Sequence, residues 1–153
     1  MRKGRRLALD VGSVRIGVAT SDNDAILASP LEALDRIEQT TITSLLDLIA
    51  ELEPIEIYIG DPTSLSGQMT KSTVDSRIFA SELAMRISVP VLMIDERLTT
   101  VSAAAKLRES GKNSKLAKPL IDSASAVEIL EFAMETERVS GKRPGVLIGE
   151  LDA

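Results

Sequence analysis

Asp10 interrupts an apolar run, Leu7-Ala8-Leu9 before it and Val11 after it, and stands beside a glycine turn at Gly12. A carboxylate in a strand expected to be buried is costly unless a cation, a hydrogen-bond network or a proton satisfies it. A turn role, capping Gly12 and Ser13, is the plainer alternative; the pattern favours a functional acid. Asp95 and Glu96 follow the continuous apolar run Val91-Leu92-Met93-Ile94. Ligands of open α/β sheets bind beyond the carboxyl ends of the strands. Adjacent strand residues face opposite ways, so one of the two acids is expected to enter a given site. The alternative is a charged strand exit with Arg97 as ion-pair partner. Asp122, Ala126, Ile129 and Ala133 fall on one helical face, so Asp122 points toward the sheet, unless it caps the helix with Ile121 and Ala126 as a hydrophobic staple. Asp61, between Gly60 and Pro62, reads first as a turn residue.

Acids at strand ends and a helix start can converge from distant parts of a chain. Such a cluster repels itself. Two divalent ions roughly 4 Å apart would relieve the repulsion, activate a water and stabilise the leaving oxygen of a phosphodiester. The composition narrows the choice in the same direction. The chain has no cysteine and no histidine, which excludes thiol nucleophiles, disulfides, Ser-His-Asp triads and imidazole or thiolate metal sites. Hard cations on oxygen ligands, Mg²⁺ or Mn²⁺, become the leading option. There is no GxGxxG, no GxSxG, and no complete P-loop around Gly111-Lys112 or Gly141-Lys142.

The net charge of −5 speaks against a strong general affinity for nucleic acid, because phosphate binding draws on Lys and Arg. The distribution softens this. Arg2, Lys3, Arg5 and Arg6 crowd the start, and Lys112, Lys115 and Lys118 share one linker. Their plain reading is solubilising surface charge; the three linker lysines are also candidate phosphate contacts. No apolar stretch approaches the ~18 residues of a membrane span, and no signal-peptide core follows the basic start. A cytoplasmic protein without a membrane partner is expected.

The elements that must position these acids follow from periodicity. Residues 6–11 and 15–21 read as a hairpin, and 26–29 as a third strand with Pro30 at an edge or bulge. Ile42, Leu45, Leu46 and Ile49 mark a helix ended by Pro54. Residues 55–59 form a strand leading into a Ser/Thr/Gly-rich loop. A helix with Ala80, Leu83, Ala84 and Ile87 on one face follows, then the strand 91–94. A short helix over 100–110 stops at Gly111, the basic linker follows, and a last helix spans 121–137. The expected architecture is α/β: a five-stranded mixed sheet flanked by helices, one domain over 1–138, and a mobile tail over 139–153 in which 145–149 could pair as a strand.

Four segments, in order and spacing, resemble one family: Asp10-Val-Gly-Ser-Val-Arg15-Ile-Gly17-Val-Ala, Ala28-Ser-Pro-Leu, Asp95-Glu-Arg-Leu-Thr-Thr-Val and Ile121-Asp122-Ser-Ala-Ser-Ala. This is similar to the YqgF/RuvX family of Holliday-junction-resolvase-like proteins, proposed to process the 5′ end of pre-16S rRNA. The resemblance spans about 6–137. It implies a ribonuclease H-like fold and a metal-dependent nuclease, with Asp10, Glu96 and Asp122 as the catalytic, metal-binding acids, and Asp95 and Asp61 as lesser candidates. It makes Arg15 and Arg97 candidate phosphate or intrasite contacts. The run Gly60-Asp61-Pro62-Thr63-Ser64-Leu65-Ser66-Gly67 departs from the family pattern, which carries an apolar residue after the first glycine and an Asn after Pro-Leu. The resemblance therefore does not by itself imply substrate contacts in this loop, and it leaves open that Asp61 joins the metal site.

The implied substrates are structured RNA such as pre-rRNA, with ribosomal precursor particles as partners, or branched DNA, with the chain acting as monomer or homodimer. The competing readings are a non-catalytic ribosome-assembly or transcription factor, and a nucleotide-binding relative of the actin and sugar-kinase group, for which 153 residues leave no room for a second lobe.

Overall fold

A computed structural model describes residues 1–63, 66–98 and 121–151. The elements run β1 (Arg6–Val11), β2 (Arg15–Ser21), β3 (Ala28–Asp35), α1 (Thr41–Leu52), β4 (Glu56–Asp61), α2 (Lys71–Ala84), β5 (Val91–Asp95), a 3₁₀ turn (Glu96–Leu98), α3 (Ala124–Ser140), β6 (Val146–Leu147) and a last 3₁₀ turn (Ile148–Glu150). The short helix expected over 100–110 and the lysine linker lie outside the described residues.

The strands form one sheet in the order β3-β2-β1-β4-β5-β6. β1, β2 and β3 make an antiparallel meander, β4 and β5 join parallel, and β6 closes the far edge antiparallel to β5. The five-stranded expectation is thus corrected to six strands among the described residues. The extra strand, Val146–Leu147, falls within the 145–149 segment that could pair as a strand, and it is only two residues long. It can approach β5 because Gly145 precedes it with φ +74°; a Cβ there would lie 2.6 Å from the Met93 carbonyl oxygen. Part of the expected tail therefore joins the sheet.

Strand β3 is also longer than its apolar stretch suggests. It runs through Pro30, which pairs with Ala19, and proline is tolerated because β3 is the outer strand. Helix α2 begins with a reciprocal capping box between Thr70 and Thr73 and ends at Ala84, so Ile87 lies beyond it.

Alternation along β1, β4 and β5 sends side chains into two cores. Leu7, Leu9, Ile57 and Ile59 meet Leu45 of α1 and Leu83 of α2 on one face. Ala8, Tyr58, Leu92 and Ile94 meet Ala126, Ile129 and Ala133 of α3 on the other. Central strands covered on both faces are uniformly apolar. A polar side chain at their carboxyl ends is therefore conspicuous, and that is where Asp10 and Glu96 stand.

Candidate active site

Asp10 lies one residue from the end of β1, on the α3 side of the sheet with Ala8. Glu96 begins the turn after β5. β4 runs between the two strands, so their backbones are separated by roughly 10 Å, two strand spacings. The Glu96 side chain crosses this gap above Gly60 of β4. A Cβ at Gly60 would lie 2.7 Å from Glu96 Oε1 and 2.8 Å from its carboxyl carbon. The missing side chain at Gly60 is what lets the carboxyl of Glu96 reach Asp10, with which it shares a hydrogen bond.

Two carboxyl groups in contact cannot both ionise freely. Burial holds the Asp10 carboxyl above its ordinary range, partly offset by the hydrogen bond to Glu96. Glu96 is pushed up to about 7, first by burial, then by the charges of Asp10 and Asp61, with the Asp10 hydrogen bond and Asp95 adding to the rise. Below about pH 7 the pair therefore tends to retain a proton on Glu96.

The neighbouring acids are neutralised locally. Asp95 accepts Arg97 Nη2 at 2.6 Å and the Arg97 backbone N–H at 2.9 Å, and Arg97 holds the Asp95 carboxyl below the usual carboxylate range. The strand exit thus divides its acids: Asp95 pairs with the adjacent arginine and Glu96 with Asp10. Arg97, a candidate phosphate contact by resemblance, is in this structure the partner of Asp95. Asp61 is buried and accepts Arg77 Nε at 2.9 Å and Nη2 at 2.8 Å. It is a strand residue paired in register with Asp95, not a turn residue; it is ion-paired to α2, and its charge still acts on Glu96.

Asp122 immediately precedes the helix cap. The N-cap of α3 is Ser123, without a side-chain cap bond, so the capping alternative for Asp122 does not hold. Its carboxylate is one-third exposed and lies 3.9 Å from Arg15 Nη1. Arg15 also reaches Asp35 at 3.6 Å. The backbone of Asp122 packs over Gly17, the residue paired with Asp10: a Cβ at Gly17 would lie 2.7 Å from the Asp122 carbonyl oxygen and 3.5 Å from Asp10 Cβ. Asp10 and Glu96 are therefore in contact, with Asp122 adjacent through its backbone. Among the described residues, no group of three acids is close enough to hold one ion. The Asp10–Glu96 pair itself suits a hard divalent cation: its oxygen donors are of the right kind, and the proton it retains is the charge a cation would replace. Lys112, Lys115 and Lys118 lie outside the described residues.

Sequence reasoning missed several residues that shape this site. Gly60 and Gly17 carry no chemical signature, and Arg77 sits on a helix face with no motif around it. Arg36 donates to the Gly12 carbonyl at 3.0 Å, pairs with Asp75 and covers the Phe79 ring, tying the turn after Asp10 to α2. In the basic start, Lys3 and Arg5 are exposed surface charge as expected, but Arg6 and Arg2 belong to an ion-pair network. Arg6 is fully buried on Glu137 at 3.0 Å, and Arg2 joins Glu137 to Glu56, which also accepts Arg143 at 2.6 Å. The signal for this network was a glutamate at Glu137 continuing the apolar face Ala126-Ile129-Ala133.

Comparison with known proteins gives the site a family context. The family model described as RuvX, Holliday junction resolvase, matches residues 4–136. A Streptomyces avermitilis protein is 52% identical over 147 residues, covering 95% of this chain and 94% of its own length. A Clavibacter michiganensis protein is 45% identical over 150 residues, covering 97% and 93%. Both are named as candidate pre-16S rRNA nucleases. Among solved structures, Thermus thermophilus RuvC in complex with a Holliday junction substrate matches with a TM-score of 0.62 at 13% identity, over 92% of this chain and 99% of that one. A second structure of that RuvC gives 0.58. At this identity the likeness shows the fold, which is ribonuclease H-like. With the family model matched from residue 4 to residue 136, the chain belongs to the RuvX family.

Proposed function

We propose that this chain is a divalent-metal-dependent nuclease that hydrolyses phosphodiesters in the 5′-end processing of pre-16S rRNA, with Asp10 and Glu96 at the reacting centre and Asp122 completing it. The observation that carries the reading is the Asp10–Glu96 contact made across Gly60, at the carboxyl ends of parallel strands. A proton-sharing acid pair has no structural task there that an apolar pair would not do better. Bound at this pair, Mg²⁺ or Mn²⁺, as one ion or two, would supply the positive charge that polarises a water and takes up charge on the leaving oxygen. The residues present divide the remaining work. Asp10 and Glu96 give up their shared proton and present oxygens. Asp122 stands ready beside them, its negative charge met by Arg15. Arg15, half exposed, is placed to turn from Asp122 and Asp35 to a substrate phosphate.

The rRNA substrate rests on the names of relatives that match almost the whole chain at 45–52% identity. The net charge of −5 fits an enzyme whose substrate is already bound to protein, so that a ribosomal precursor particle supplies docking surface. Among the described residues no helix is long and apolar enough to cross a membrane, in keeping with a cytoplasmic site of action. A second reading, cleavage of a branched DNA junction, is favoured by the description of the family model. The two are separated by offering an end-labelled pre-16S 5′ leader and a four-way DNA junction in one competition assay with Mn²⁺. Preferential cutting of the leader supports the rRNA reading. Preferential cutting of the junction overturns it in favour of DNA. If neither is cut by folded protein, the nuclease reading gives way to a binding module.

A further inference from the structure

We propose that Ser123 is a positioning residue that fixes Asp122 against Asp10 by inserting its hydroxyl into the sheet; this rests on the reading of Asp122 as part of the reacting centre. The antiparallel ladder between β2 and β3 is irregular at one point. Ile16 pairs with Leu34 but Val18 pairs with Leu31, so β3 carries one extra residue opposite Gly17, a β-bulge. A bulge leaves ladder groups without their usual partners. Here Ser123 fills the gap: its Oγ accepts the Val18 N–H at 3.0 Å and donates to the Leu31 carbonyl at 2.7 Å. Both bonds span about two-thirds of the chain, and Ser123 is fully buried. The hydroxyl stands between a donor and an acceptor that are register partners across the two strands.

This joint fixes more than helix packing. Ser123 caps α3 through its backbone, with its carbonyl accepting the Val127 N–H at 3.1 Å, while its side chain holds the sheet. Gly17 leaves the room: a Cβ there would lie 3.2 Å from Ser123 Cα. The residue before Ser123 is Asp122, and the residue paired with Gly17 is Asp10. A wedge at the bulge therefore sets the backbone of one acid against the strand of the other. A serine is suited to it, because the task needs one acceptor and one donor on a short side chain. Residues that hold and orient ligating groups typically alter metal affinity by 10- to 100-fold when replaced.

The test uses the full chain. Ser123→Ala is compared with wild type and with Ile49→Val or Ile49→Ala, whichever matches its Tm in EDTA; Ile49 lies in the core on the opposite face of the sheet. Ser123→Cys keeps the side-chain shape with a slightly larger atom while weakening both hydrogen bonds, and reads the same quantity if Ser123→Ala does not fold. Mn²⁺ alone is titrated by calorimetry, and kcat on the labelled leader is followed against Mn²⁺ concentration. The expected result is Mn²⁺ affinity lowered by about 10-fold or more in the Ser123 variant, kcat partly restored at high Mn²⁺, and wild-type Mn²⁺ affinity in the Ile49 control. A Ser123 variant that binds Mn²⁺ as the Tm-matched control does would reduce Ser123 to a packing residue and overturn the proposal. Wild-type protein that neither binds Mn²⁺ nor cuts would instead overturn the nuclease reading itself.

Discussion

Replacing Asp10 by Asn should change how stability depends on pH, in a direction set by the Asp10–Glu96 contact. Glu96 titrates near 4.5 when unfolded and near 7 in the folded chain, chiefly through burial and then through Asp10. Between those values the folded state binds more protons than the unfolded state. Metal-free stability must therefore fall as pH rises through that window and level off above it. At about 1.4 kcal/mol per pH unit the loss for a wholly buried carboxyl would be about 3 kcal/mol. Glu96 is partly exposed, and solvent screening reduces the figure to about 1–2 kcal/mol. Asn resembles protonated Asp in size and removes the largest of the charges that raise Glu96, leaving burial and the other acids in place. In EDTA the variant should match wild type near pH 4.5 and exceed it near pH 8 by about 1 kcal/mol. Urea denaturation at four or five pH values reads the difference, and groups not coupled to the pair cancel in the comparison. A difference that stays flat across this range would refute the contact, whatever the activity of the variant. Mg²⁺ or Mn²⁺ should recover the loss at pH 8 in wild type and recover less in the variant.

Three further outcomes follow from the geometry. Gly60→Ala would place a methyl group 2.7 Å from both Glu96 Oε1 and Ile129 Cδ1; it should displace Glu96, abolish cutting and cost about 1–3 kcal/mol, and retained turnover would show that Glu96 need not cross β4. Arg6→Met leaves Glu137 buried with only Arg2, and should cost about 3 kcal/mol in urea denaturation without changing cleavage per folded molecule; a cost near zero would mean that the network is slack. Neutralising Lys112, Lys115 or Lys118 singly should reduce the slope of log affinity against log salt by about 0.7–0.9, and an unchanged slope removes that lysine from the interface.

The fold was legible where one period dominated. The apolar run around Asp10, the strand 91–94 and the spacing of Leu45 and Ile49 led directly to β1, β5 and α1. Asp10 itself was visible because a carboxylate inside such a run has no bland explanation of equal weight. Which of Asp95 and Glu96 enters the site could be reduced to one, but not chosen from alternation alone, since Glu96 has left the strand and lies in a turn. The glycines were harder. Gly60 and Gly17 matter only for what lies above them, the Glu96 carboxyl from the turn after β5 and the start of α3, and no local pattern records a tertiary neighbour. Arg6 and Glu137 escaped for the same reason: each looks like surface charge until a partner 131 residues away explains how it can be buried. Asp61 reads as a turn residue beside Gly60 and Pro62 because its partner, Arg77, belongs to another element.

The most direct test is cleavage of an end-labelled pre-16S 5′ leader by wild type, Asp10→Asn and Glu96→Gln, each shown to be folded, with Mn²⁺, with Mg²⁺ and with EDTA. The account predicts metal-dependent cuts by wild type, none in EDTA, and a fall of about 100-fold or more in either variant, the scale of losing a group that acts at the reacting atoms. Cutting that persists in Asp10→Asn at the wild-type rate would contradict it and move the reacting centre away from the Asp10–Glu96 pair.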